Sequence, residues 1–553
     1  MENDTFPAAS QRRYKTVHIK SLHFGRKNNK LTLTLNKQTP KQSQNATHQT
    51  NQTPGILGNY YATRHEKGLY RSCGVTSYYS YTPRNSTAPN PINELISRLQ
   101  RALWKTVEKH PSLCYGLLPS SKTTHPSARF KRLAQISWDD IVSISSLDRF
   151  PDSQVQIQSE EKRVCEEIGA AHEQLFQDPE TKPMWKIRVL VHEMKDGRYR
   201  VYILFIAHHA IADGLSCAAF QRTLHEGLSL TTAETLEMSD AQWPYIVPET
   251  VGRPIAIEDA MDISPPGYES LDTSPQLNSD EKEEQIWPGN FPCMPTTESY
   301  KSLVLLVTVP PERVQRVLDT SRRLKITVTG YLHGLIVSYL ARTTVTNDKL
   351  GLKGCTPYSL RKFSKLPLSE IANHISSIVT KWNASLLNSI RHVKEESVEE
   401  EELITAIGSQ VSQEISTELK RVEAGGVSQI RNVEKIVDLE SYCREGLSAE
   451  RSETYEISNL GVVRMNKVPG ESSLKLDGLI FSQCGMVFGA PIGCNVANLE
   501  GGPLVISLTW QKGSVEDEVM EGLQQFLKSR LGAQSAGWFR SSTKTREVTR
   551  IES

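Results

Sequence analysis

The sequence predicts an α/β protein built in two halves, and three stretches carry that expectation. Residues 185 to 228 read as strand, turn, strand and helix, residues 244 to 300 as an extended crossing, and residues 303 to 340 as the strand and helix that open a second half. In the first stretch Ile187, Val189 and Val191 alternate with polar residues, Asp196 and Gly197 supply a turn, and residues 201 to 207 are an unbroken apolar run. That pattern is a hairpin whose second strand is covered on both faces. A central strand therefore ends at His208. Asp213 is placed to cap a helix that presents Phe220, Leu224 and Leu228 at a spacing of four. The crossing holds nine prolines and an acidic patch at 280 to 284, which suits an extended connection. Beyond it, 303 to 309 read as a strand, and the helix from Thr329 gathers Leu332, Leu335, Ile336, Tyr339 and Leu340 on one stripe. Residues 395 to 402, six of them glutamate, read as a solvated surface segment.

At 553 residues the chain is too long for one small module and comfortable for two large domains. The expected limits are a disordered basic tail at 1–54, an N-terminal half at 55–243, the crossover at 244–300, a C-terminal half at 301–533 and a second tail at 534–553. The 64 lysines and arginines against 63 acids leave a net charge of +1, which argues against a surface given over to nucleic acid. The cations gather at the start: residues 1 to 54 hold nine against Glu2 and Asp4, a net +7. Few apolar residues accompany them, so the segment is read as unfolded, with a transit peptide as the lesser alternative. Nine scattered cysteines without a C-x-x-C pair fit reduced thiols in a cytoplasmic chain. No apolar run approaches the roughly 18 residues of a membrane span. The basic tail leaves peripheral association with the endoplasmic reticulum or lipid droplets as the one membrane role expected.

The most distinctive string is FIAHHAIADGLS at 205 to 216, with two adjacent histidines at a strand end and Asp213-Gly214 four residues on. Neighbouring side chains on a strand point to opposite faces, so His208 and His209 do not share an ion, and no third ligand stands at a metal-binding spacing. No metal is expected. A histidine fixed at the end of a buried strand, with Gly214 permitting close backbone approach, is well placed as a general base. Two ordinary structural histidines are the competing reading.

HHAIADG resembles the HHxxxDG signature of the CoA-dependent acyltransferases, among them chloramphenicol acetyltransferase, the plant BAHD enzymes and peptide-synthetase condensation domains. LGNYYATRHEKGLY (57 to 70), TPYSLRKF (356 to 363), ISNLG (457 to 461), and FSQCGMVFGAPIGCNV with GGPLVISLTWQKG (481 to 513) resemble, in order, the alcohol acetyltransferase family of fungi. The resemblance implies two chloramphenicol-acetyltransferase-like α/β domains of similar topology with an active-site tunnel between them. It implies His209 as the catalytic base and Ser458 as a donor to the tetrahedral oxyanion. It makes Asp213, turned from the substrate, a loop-ordering residue together with Gly214 and with Arg361, the candidate partner. Asn373 resembles the asparagine of a Gly-Asn pair in the plant enzymes, with Ala372 in the place of the glycine, and is read as structural. His208 and Asn459 are assigned to the tunnel wall or to structure. The plant DFGWG motif is absent. His65, His333 and Cys217 are read as packed residues without a chemical role.

The function so implied is transfer from acyl-CoA, acetyl-CoA first, to a hydroxyl of a small alcohol, sterol or secondary metabolite. It needs no permanently bound cofactor, no nucleic acid and no partner chain, so a monomer is expected. An N-acyltransferase or condensation-type amide-forming enzyme is the first alternative, since an amine uses the same base. A non-catalytic ligand-binding descendant is the second. Every block of the resemblance begins after Ile56, so removal of residues 1 to 54 is expected to leave acyl transfer intact in an assay of thiol release. A folded truncated protein without activity would place part of that segment in the tunnel.

Overall fold

The computed structural model describes residues 53–532 apart from 84–91, 121–126, 148–159, 231–241, 264–283, 295–298, 427–429, 437 and 467–472. The C-terminal tail, nearly all of the basic tail and the middle of the crossing lie outside the described residues. Two sheets organise the remainder. The first is built from β1 (Cys73–Tyr81), β2 (Val142–Ser146), β3 (Trp185–Glu193), β4 (Tyr199–Ala207) and a late strand, with helices α1 (Gly55–Glu66), α2 (Ile92–Lys109), α3 (Glu160–His172) and α4 (Gly214–Leu230) around it. The second is built from β5 (Ser302–Val309), β6 (Leu352–Ser359), β7 (Ile375–Trp382), β8 (Tyr455–Val463), β10 (Ile492–Leu499) and β11 (Leu504–Gln511). Helices α5 (Val328–Thr343), α6 (Val398–Glu423) and α7 (Asp517–Leu531) pack on it.

The late strand is β9 (Leu474–Gln483), which follows β8 in sequence yet pairs antiparallel with β1 in the first sheet, Cys73 opposite Gln483 and Thr76 opposite Ile480. The first sheet therefore runs β9-β1-β4-β3-β2 and the second β7-β6-β8-β10-β11-β5. The C-terminal half lends a strand to the N-terminal sheet, where it covers the edge that β1 would otherwise leave unpaired.

The hairpin forms where the alternation placed it. Ile187, Val189 and Val191 of β3 are buried, and in β4 every residue from Arg200 to Ala207 is buried. Strand β4 is central, paired with both β1 and β3, and so needs apolar residues on both faces. Asp213 caps α4 through a 2.7 Å hydrogen bond from the Ser216 N–H. Phe220, Leu224 and Leu228 are fully buried, and Phe220 stacks on Phe205 at 3.7 Å. The two halves meet along α3, whose Val164, Cys165 and Ile168 pack between Tyr202 and Leu204 of β4 and Val304 and Leu306 of β5.

The glutamate run departs from expectation at one position. Glu400 is fully buried, because its place on α6 faces α5 and α7. Its carboxylate accepts from Ser338 at 2.7 Å, Arg342 at 3.3 Å and Arg530 at 2.9 Å. Two guanidinium partners and a hydroxyl offset the cost of burying this carboxylate.

Candidate active site

Ala207, the last residue of β4, is held between Cys73 of β1 and Trp185 of β3. The two histidines that follow thus leave a fixed point. They part at once. His208 Nδ1 accepts the Ala210 N–H at 2.9 Å, and its ring lies 4.3 Å from that of His65. His209 lines a cavity of about 260 Å³ whose wall comes from both sheets. Tyr61 of α1 stacks flat on the His209 ring, 3.9 Å between centroids and 4° between planes, and Tyr70 meets it edge-on at 5.5 Å. The Asn373 amide donates to the His209 carbonyl at 2.8 Å and lies 3.2 Å from Nδ1.

Burial pushes His209 down to about 4, with Arg64 adding to the fall; a hydrogen bond to its own backbone carbonyl and the charge of Asp213 pull the other way. The ring is therefore neutral at physiological pH. A neutral imidazole keeps one ring nitrogen unprotonated and able to accept a proton.

Asp213 points away from this chemistry. Arg361 donates to both of its oxygens, at 3.0 and 3.2 Å, and the Ser216 hydroxyl and His374 N–H complete its shell. Arg361 also donates to the carbonyls of Pro367, Glu370 and Ala372, so one guanidinium ties the loop after β6 to the start of α4. Burial by itself would raise the Asp213 carboxyl; Arg361 and the hydrogen bonds of Ser216 and His374 hold it below the usual carboxylate range. Gly214 allows close packing: a Cβ there would stand 2.7 Å from Leu460 and 2.8 Å from Phe481, so both side chains would have to shift.

Ser458, on β8, lines the His209 cavity, and its hydroxyl makes no hydrogen bond to the described residues. It is not satisfied by local backbone and is free to donate into the cavity. Asn459 lines the same cavity; its amide donates to Thr329 at 3.1 Å and its oxygen accepts the Gly461 N–H at 2.8 Å, which shapes the strand end. The structure thus brings His209, Asp213, Gly214, Ser458 and Asn459 to one cavity, with Arg361 and Asn373 behind its wall and His208 turned aside.

Other residues of the cavity carried no sequence expectation. Tyr61, Arg64 and Tyr70 come from the block at 57 to 70, and Gln483 from the end of β9. The Tyr70 hydroxyl donates to Gln483 at 2.6 Å. The aromatic density of that block was the available signal. His333 is held between Tyr455 at 2.8 Å and Thr356 at 2.9 Å. His65 accepts the Phe176 N–H at 3.2 Å, and Cys217 is fully buried beside Cys73. Among the described residues no three His, Cys, Asp or Glu side chains are grouped to hold a metal ion, and no single helix is long and apolar enough to cross a membrane.

The buried histidines set a pH dependence. Burial lowers His65, His172 and His333 to about 3, and His110 and His209 to about 4. Unfolding returns each ring to about 6.5, so below that value the unfolded chain binds more protons and stability falls. Full stability is expected above pH 6.5, with a steep loss as pH drops toward 4. Thermal midpoints across pH 4 to 8 check this, and a flat profile would contradict it.

A family model for alcohol acetyltransferases matches residues 54–531. "Probable alcohol acetyltransferase crmB" of Aspergillus fumigatus is 24% identical over 85% of this chain and 97% of its own length. Two solved structures from Fusarium sporotrichioides share the architecture. TRI3 trichothecene 15-O-acetyltransferase has a TM-score of 0.59 at 12% identity, covering 87% of this chain and 94% of that one. TRI101 complexed with Coenzyme A and T-2 has a TM-score of 0.51 at 14% identity, covering 85% and 96%. At such identities the structural likeness shows the two-lobed fold alone. The match across nearly the whole described region shows more: the chain belongs to the alcohol acetyltransferase family and is an acyltransferase.

Proposed function

We propose that the protein transfers an acyl group, acetyl first, from acyl-CoA to the hydroxyl of a small alcohol, sterol or secondary metabolite. The observation that carries this is His209, its buried ring neutral and stacked on Tyr61, in a cavity walled by both sheets. The unprotonated ring nitrogen takes the proton of the acceptor hydroxyl as its oxygen attacks the thioester carbonyl. Ser458, unpartnered on the cavity wall, donates to the oxyanion of the tetrahedral intermediate. The imidazolium then gives its proton to the departing thiolate, and the ester and free CoA leave.

Transfer is direct, within a ternary complex. Among the described residues no cysteine lines the cavity around His209, which favours direct attack by the acceptor over a thioester on the protein. The related TRI101 structure, a complex with Coenzyme A, supports an acyl-CoA donor. We further propose a cytoplasmic monomer, in keeping with nine scattered cysteines without a C-x-x-C pair, whose basic tail favours peripheral association with the endoplasmic reticulum or lipid droplets.

The test is thiol release from acetyl-CoA with a panel of alcohols and matched amines, with products identified by mass. Esters are expected. Amides alone would make the protein an N-acyltransferase, and no release with any acceptor would make it a binding protein.

A further inference from the structure

Beyond the cavity around His209 lies a second one of about 190 Å³. Tyr61, Arg64, Pro357, Ile375, Glu456 and Met486 line both, so the two share a wall. The outer chamber has a mixed wall, with the rings of Tyr60, Tyr442 and Phe488 beside Ser376, Ser452 and Glu453. Two faces of the partition are already committed. Tyr61 lies flat on His209. Arg64 is buried among the rings of Tyr60, Tyr70 and Phe488, and donates to the Tyr60 hydroxyl at 3.1 Å and the Phe488 carbonyl at 3.2 Å.

Glu456 is differently placed. It precedes Ser458 by two residues on β8, so both side chains belong to one face of the strand. Protein surrounds it, and what surface it keeps is turned to the two cavities. Among the described residues its carboxylate accepts one hydrogen bond, from Gln483 at 2.8 Å, and Gln483 in turn accepts from Tyr70. A carboxylate offers about four acceptor positions. The rest of this one's capacity faces the space an acceptor molecule must cross or fill. Burial raises the carboxyl to about 7, with Gln483 and the charge of Arg64 pulling it down and that of Glu453 pushing it up.

We propose that Glu456 is a specificity-determining residue: it accepts a hydrogen bond from a second donor group, a hydroxyl or an ammonium, on the acceptor whose reacting hydroxyl lies at His209. The chamber beyond takes the rest of that molecule. This rests on the transfer reaction proposed above. An acceptor of this class carries an apolar body and two polar groups, one to be acylated and one to be held. A simple alkanol leaves the carboxylate without a partner and forfeits the advantage of the site.

The test compares three probes of one length that differ only at the far end: hexan-1-ol, hexane-1,6-diol and 6-aminohexan-1-ol. Their dissociation constants are measured by calorimetry on the wild-type protein, Glu456→Leu and the isosteric Glu456→Gln, without acyl-CoA. The pH is 8.5, above the raised Glu456 value of about 7, so that its carboxylate is ionised. The quantity read is affinity for each polar-ended probe relative to hexan-1-ol. In Glu456→Leu this ratio is expected to fall about tenfold or more for both polar probes, the size of a hydrogen bond to a charged group. In Glu456→Gln it is expected to fall about tenfold for the amino alcohol and less for the diol, since the amide oxygen still accepts. Thermal unfolding shows whether each variant is folded, and either folded variant suffices. Ratios unchanged from wild type, or a wild-type protein that prefers hexan-1-ol over both polar probes by more than tenfold, overturn the assignment. Binding is read apart from turnover, so a protein that binds as expected but releases no thiol from acetyl-CoA would overturn the proposed reaction and not Glu456.

Discussion

Replacing His209 with alanine is expected to lower kcat/KM by about 10²- to 10⁴-fold, the range for removal of a general base. The fold should survive, because the strand behind it is anchored without this side chain. Ala207 is paired on both sides, and the Asn373 amide bonds the backbone carbonyl of residue 209 at 2.8 Å. His208→Ala inverts the pattern. That ring packs against His65 and Phe176 and accepts the Ala210 N–H, away from the cavity, so its removal costs stability first and activity second. The pair is read by initial rates together with thermal midpoints. Equal losses of rate in two folded variants would remove His209 as the sole base.

Arg361→Ala should be the most destabilising single change in the site, by about 3–5 kcal/mol. Both partners are almost completely buried, and Arg361 donates to two oxygens of Asp213, to the Ser216 hydroxyl and to three backbone carbonyls. Its loss leaves a buried carboxylate with no countercharge and three carbonyls short of a donor. Asp213→Asn removes one charge and leaves the guanidinium on its carbonyls, so a smaller loss is expected, with activity falling alongside stability because the turn that presents His209 loosens. The double variant decides whether the two act together. A coupling of about 1–3 kcal/mol is expected for residues in one hydrogen-bonded network. Strictly additive losses would break the link between Asp213 and Arg361.

Local pattern made the hairpin, the end of β4 and the capped start of α4 legible, since each follows from periodicity and turn chemistry within a few residues. The position of β9 was not legible. Its apolar residues are compatible with either sheet, and only the unpaired edge of β1, some 400 positions earlier in the chain, selects the partner. Glu400 was missed for a related reason: a run of glutamates reads as solvated until helix phase and two distant arginines, Arg342 and Arg530, place one of them inside. In the site, His209, Asp213 and Gly214 stand in one short string, and Ser458 and Arg361 were reached through resemblance. Tyr61, Arg64, Tyr70, Glu456 and Gln483 were not reached, because a cavity wall is assembled from side chains far apart in sequence and no spacing rule joins them.

The central claim is that His209 acts on an acceptor and an acyl thioester bound together. Initial rates measured while acetyl-CoA and an alcohol acceptor are varied independently test it most directly. Double-reciprocal lines that intersect are predicted, with no acetyl group found on the protein after incubation with acetyl-CoA alone. Parallel lines together with a stoichiometrically acetylated protein, the pattern of a covalent intermediate, would contradict it.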